Sequence, residues 1–201
     1  MIPVAPKPEP AGFDASVRQP GLTWLRVNGL AGMVSPPPKK TIKAYWTNCL
    51  PELMSAYDSV CAYASLRIAP VTGAQSVEHF APKSRALSDA YEWDNYRLAC
   101  ARMNARKNNF TDVLDPFAMP LGVFELVVGN GELRPAAGVG GQLLLDARAT
   151  IARLKLDDPD IRAARLSIID HYLAGDFSTA FLARESPFIH GELDRLGLLR
   201  P

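Results

Sequence analysis

Apolar residues in the stretch "TIKAYWTNCLPELMSAY" fall at Trp46, Leu50, Leu53 and Tyr57. Steps of three to four residues place them on one stripe, which predicts a helix packed on the chain that follows. From Ser59 the period shortens. "VCAYASLRI", the turn residues "PVTG" and "SVEHF" read as two short strands joined as a hairpin. "NYRLAC" is a further short strand, "ARMNARK" a helical turn or two, and "DVLDPF" an acidic, proline-containing break. "GVFELVVGNGELRP" predicts a second hairpin closed by a Gly-Asn-Gly turn. The segments "GQLLLDARATIARLKL", "DPDIRAARLSIIDHYLAG" and "SPFIHGELDRLGLL" return to the helical period, and Asp158 and Ser186 stand before prolines as helix starts.

The beginning of the chain follows neither period. It holds many of the 17 prolines, in runs such as "PKPEP" and "SPPPKK" that favour extended backbone and cannot continue a helix. Between them "DASVRQPGLTWLRVNG" predicts a short helix and turn. The expected organisation is therefore α+β: a proline-rich arm at 1–42, a core at 43–118, and a β-hairpin and helical region at 119–201. The arm is expected to dock more than to fold, with Trp24, Leu25 and Leu30 as apolar anchors.

Composition narrows the class. A chain of 201 residues, 48% hydrophobic and 21% charged, can build one main core with an appendage, which excludes disorder throughout. No apolar run approaches membrane-spanning length, and "MIPVAPKPEP" lacks the charged and apolar regions of a signal peptide, so a cytoplasmic protein without membrane association is expected. Cys49, Cys61 and Cys100 are widely spaced and odd in number, which fits reduced thiols. The net charge of +1 divides unevenly: six basic and two acidic residues over 1–45, six and four over 76–110, nine and thirteen over 111–201. A basic arm and middle could face a polyanion, or simply be solvated.

Candidate chemistry is concentrated between Ser76 and Lys107. A strand ending in Glu78-His79, a long loop, a strand opening at Asn95 and a helix carrying Asn104 and Lys107 would converge these side chains across one small ββα unit. Taken singly, His79 reads as a hydrogen-bonded structural histidine, Glu78 as a solvated strand residue and Asn95 as a turn former or cap. Lys107 and Arg106 alone are cations at a helix end, where the dipole favours them. Trp93 reads as a core anchor beneath the loop, His171 and His190 as structural, and Lys39 and Lys40 as either partner contacts or solubilising charge.

As an ordered set, "VEHF" followed by "PKS", then "YEWDNYRLAC", "MNARKNN" and "LDP", with nine residues from Asn95 to Asn104, resembles the HNH endonucleases of the ββα-metal class over about Cys61 to Pro116. "ARATIARLKLDDPDIRAARL" is similar to the helical tail of a bacterial subgroup found in antiphage defence systems. The resemblance implies a metal-dependent nuclease acting on DNA, with RNA left open. In it His79 would be the general base, and Glu78 and Asn104 the ligands of one Mg²⁺ or Mn²⁺. Asn95 would brace the loop to the histidine, and Lys107, helped by Arg106, would contact phosphate. It further implies an ATPase or other sensor subunit as partner. Many relatives carry a structural zinc on two Cys-x-x-Cys pairs. Here Ala64 and Met103 take the second place of each pair, so no structural zinc is expected and apolar packing is expected to replace it. The alternative is a catalytically silent subunit of the same fold that binds nucleic acid or a protein.

Overall fold

The structure, a computed structural model, describes residues 1–69, 71 and 74–200. It is an α+β chain of helices and two small antiparallel sheets. Contacts divide it into two compact units, one of Ala5–Ser59 with Ile68–Thr111, the other of Met1–Val4, Val60–Arg67 and Asp112–Pro201. Among the described residues no helix is long and apolar enough to cross a membrane.

The first unit opens with a π-helical turn, Asp14–Arg18, that runs into helix α1, Gln19–Val27. A 3₁₀ turn at Tyr45–Cys49 leads into α2, Leu50–Ala56, so the predicted stripe helix is present but begins as 3₁₀, with Pro51 in its first α-turn. Strand β1, Gln75–His79, pairs antiparallel with β2, Tyr96–Cys100, in a register that sets Val77 opposite Leu98 and His79 opposite Tyr96. Helix α3, Ala101–Lys107, follows β2 without a break.

The segment read as a docking arm supplies this unit's core. Phe13 and Val17 are fully buried, Leu25 and Leu30 nearly so. Phe13 lies edge-on to both Trp93 and Tyr96, at 5.6 and 5.7 Å between ring centres. Trp93 donates its indole N–H to the Lys7 carbonyl at 2.8 Å, and the Tyr91 hydroxyl donates to the Lys43 carbonyl at 2.7 Å. Gly21 is required here, because a Cβ would stand 2.3 Å from the Tyr91 ring. Prolines prevent regular structure at the ends of this segment without preventing burial of the apolar residues between them.

The predicted pairing of "VCAYASLRI" with "SVEHF" is not formed. Val60 instead bridges Arg67, with the Cys61 N–H on the Leu66 carbonyl and Ser65 at positive φ, so this stretch closes on itself. Cys61, Ala62 and Tyr63 are buried in succession, a pattern that serves a packed turn and not the alternating faces of a strand. Of the predicted turn at 70–73, Pro70, Thr72 and Gly73 lie outside the described residues.

The second unit holds the hairpin β3, Phe124–Val127, and β4, Glu132–Pro135, whose turn places Gly131 at φ 69° with the Arg162 carbonyl against it. Helices α4, Gly141–Leu154, α5, Pro159–Ala174, and α7, Pro187–Arg195, match the predicted periods. Helix α6, Thr179–Glu185, was not anticipated. It is capped by Ser178, whose side chain accepts from the Phe181 N–H. Arg165, almost fully buried, donates to the carbonyls of Gly131 and Leu156 and so ties the hairpin turn to α5. His171 lies 2.6 Å from Asp176, a local pair at the end of α5.

Candidate active site

The strand-strand-helix unit brings Glu78, His79, Asn95, Asn104 and Lys107 into one neighbourhood. Adjacent strand residues point to opposite faces. Ser76 and Glu78 therefore face α3, where Asn104 donates to the Ser76 hydroxyl at 3.2 Å and Lys107 reaches Glu78 at 2.6 Å. His79 points to the other face. Its ring packs edge-on against Trp46 and Tyr96, at 4.8 and 5.0 Å.

The hydrogen bonds of His79 fix its tautomer. Nε2 is 2.9 Å from the Ala90 carbonyl oxygen, which can only accept, so Nε2 carries the proton. The Tyr96 hydroxyl donates to the same oxygen at 2.9 Å, using its second lone pair. Nδ1 is thereby left with a lone pair, and the Lys83 ammonium lies 3.2 Å from it as a donor. Burial, and after it the charges of Lys83 and Lys107, push the pKa of this imidazole down to about 3. Burial likewise lowers Lys83, against the opposing pull of Glu78.

That depression has a measurable consequence in metal-free protein. Between about pH 6.5, where an ordinary histidine titrates, and about pH 3, the unfolded chain holds a proton on His79 that the folded chain does not. Stability therefore falls as pH drops through this window, with a slope from this residue of up to ~1.4 kcal/mol per pH unit. Denaturant melts in EDTA across the window should show a shallower slope for His79→Gln than for wild type. Equal slopes would show that His79 is not held neutral.

Asn95 bonds to the loop with its whole side chain. Its side-chain oxygen accepts from the Ala81 N–H at 2.7 Å, and its amide donates to the carbonyls of Ala81 and Asp89 at 3.1 and 3.0 Å. One side chain thus fastens both limbs of the loop from Phe80 to Asp94, and Ala90, one residue beyond Asp89, presents its carbonyl to His79. Asn95→Ala leaves three backbone groups without these partners, a loss of ~1–3 kcal/mol. Amide exchange from Phe80 to Asp94 is expected to accelerate while that of β1 and β2 stays slow, and uniform exchange would show that Asn95 does not fasten the loop.

Lys107 departs from the sequence expectation. It is fully buried, and its ammonium donates to Glu78 at 2.6 Å, to the His79 carbonyl at 3.1 Å and to the Phe80 carbonyl at 2.8 Å. An ammonium has three hydrogens, and these partners use all three. Lys107 therefore braces the end of β1 from within and offers nothing to a phosphate. Arg106, one position earlier, is half-buried.

The donor types bear on a metal. Asn104 pairs with Ser76 and Lys107 with Glu78 where α3 meets β1, so the Glu78 carboxylate and the Asn104 carboxamide belong to the same strand-helix face. Two hard oxygen donors suit a hard divalent cation. The carboxylate is also charge-matched by Lys107, so such an ion would share it with the ammonium. Among the described residues no three His, Cys, Asp or Glu side chains gather as a metal cluster. Met103 is buried and Ala64 half-buried, and none of the three cysteines is in a disulfide.

A cleft of about 330 Å³ opens beside these residues, lined by Ser76, Lys83, Asn104, Asn108 and Asn109. Sequence reasoning singled out neither Lys83 nor Trp46 for the site. Lys83 lies in the quoted "PKS", four residues after His79, but only the fold shows it returning to the ring. Trp46 read as part of a helical stripe. In a comparison with known families no family model matches this chain, and none of the curated proteins matches it.

Proposed function

We propose that this protein is a metal-dependent endonuclease of the HNH type, hydrolysing phosphodiester bonds in DNA. The observation that carries the reading is the orientation of His79: Nε2–H on the Ala90 carbonyl, Nδ1 bare but for the Lys83 ammonium. In the reaction Nδ1 takes a proton from the attacking water as its oxygen bonds to phosphorus and the bond to the leaving oxygen breaks. The imidazolium that forms is stabilised through Nε2–H on Ala90, whose position Asn95 fixes. Glu78 and Asn104 would hold a hard divalent ion such as Mg²⁺ or Mn²⁺, whose chemistry when bound is neutralisation of charge on the phosphoryl and leaving oxygens. A depressed pKa makes His79 a weak base in the free protein, and the approach of an anionic phosphodiester acts in the direction that strengthens it.

The strand-strand-helix unit and its ordered residues support an HNH-like core. The sequence likeness to defence-associated HNH proteins supports a role in antiphage defence beside an ATPase or sensor subunit. The test is nicking of supercoiled plasmid with Mg²⁺ or Mn²⁺, abolished by EDTA. One observation favours a second reading, a silent subunit that binds nucleic acid or protein: the Glu78 carboxylate is already neutralised by a buried ammonium. Protein that binds plasmid, single-stranded DNA or RNA, yet cleaves none of them with either metal, would replace the first reading by the second.

A further inference from the structure

If Lys107 is consumed inside the protein, the cation that meets substrate must lie elsewhere. Lys83 has the position. It stands two residues after Ala81, which Asn95 clamps at both N–H and carbonyl, in a turn in which the Arg85 and Ala86 N–H groups donate to the Pro82 carbonyl. A fixed backbone thus carries a flexible four-carbon stem. The ammonium at its tip lies 4.8 Å over the face of Trp46, within reach of Nδ1, and the same side chain lines the cleft of Ser76, Asn104, Asn108 and Asn109. Neither of its two named contacts is an ion pair: one is a neutral imidazole, the other an aromatic face. In contrast, the positive charge of Lys107 is matched by Glu78.

None of the described residues lining the cleft is acidic, and its hydroxyl and amide groups can donate to an oxyanion. Cation and neutral donors line the cleft, and the same ammonium covers the histidine nitrogen, which together describe a seat for a phosphodiester beside a base. We infer that Lys83 is the phosphate-contacting residue of this site, its ammonium leaving Nδ1 for a non-bridging oxygen of a phosphodiester bound in the cleft and so uncovering the histidine lone pair only when substrate is present. This rests on the nuclease reading for its catalytic consequence, but the binding step stands apart from it. Lysine suits the task because a point charge on a mobile stem can pass between two partners, and its hydrogen bond to a phosphate is charge-assisted on both sides.

The experiment uses the full chain with ¹⁵N-labelled lysine and a twelve-residue oligothymidylate as probe, read without metal and therefore without turnover. The oligonucleotide is expected to shift the Lys83 side-chain signal, identified by its absence in Lys83→Gln, and to leave the Lys107 signal in place. In plasmid nicking, Lys83→Gln should lower kcat/KM ~10–100-fold with both KM and kcat affected, while Lys83→Arg, which keeps the charge, should recover most of the loss. A Lys83 signal unmoved by oligonucleotide overturns the inference, as does nicking by folded Lys83→Gln at the wild-type rate. Wild-type nicking with an indifferent Lys83 would remove this inference and keep the nuclease. A shifted Lys83 in a protein that never nicks would keep the phosphodiester site and remove the nuclease.

Discussion

Replacing His79 by alanine is expected to lower plasmid nicking by ~10²–10⁴-fold, equivalent to roughly 3–5 kcal/mol of barrier, while nucleic-acid binding persists. The expectation follows from the direction of the two ring nitrogens. Nε2 is committed to Ala90, so Nδ1 is the ring nitrogen that can accept a proton. The alanine also empties space between Trp46 and Tyr96 and will lower the melting temperature. His79→Gln separates the two effects, because its amide can still donate to the Ala90 carbonyl but is no base. It should melt closer to wild type and nick as poorly as His79→Ala. Cleavage by folded His79→Ala at the wild-type rate would end the nuclease reading and leave the binding subunit.

How much of this was legible in the sequence depends on range. Helices α4, α5 and α7 and the hairpin of β3 and β4 rest on local signals, a 3.6 period, a proline after Asp158 or Ser186, and a Gly-Asn-Gly turn, and these were readable. Strand β1 was readable as a strand with two partners on offer: the strand beyond the loop, set with it in the ββα reading, is its mate, while the apolar run that precedes it in sequence, Val60 to Ile68, closes on itself. The packing of Phe13 against Trp93 and Tyr96 is longer in range still, and proline content in the flanks hid it. Within the site, Asn95 alone reads as a turn former or cap, and only the family resemblance implies a brace. The fate of Lys107 was not readable. A lysine at a helix end looks solvated in sequence, and only tertiary structure decides whether its stem runs outward to phosphate or inward to a buried carboxylate.

That inward lysine gives the largest expected effect on stability. Glu78→Ala and Lys107→Ala should each destabilise the protein by ~3–5 kcal/mol, because each takes the ion-pair partner away from a buried charge. Both side chains are almost completely enclosed, at 2% and 0% exposure, so water cannot repair the loss. Lys107→Ala also strips the His79 and Phe80 carbonyls of their donor and should be the more damaging of the two. Combining Glu78→Leu with Lys107→Met removes both charges at similar volume. It should recover much of the stability, giving a coupling of at least ~2 kcal/mol in a double-mutant cycle. Melts that show two small, additive losses would mean that the pair is not buried as described. Function separates the same residues differently. Glu78→Ala should raise the metal concentration needed for nicking, with Mn²⁺ restoring more activity than Mg²⁺. Lys107→Met, assayed at a temperature where it remains folded, should leave the salt dependence of DNA binding unchanged, since an ammonium that touches no phosphate releases no counterion. A slope reduced by about one contact in Lys107→Met would return that lysine to the substrate.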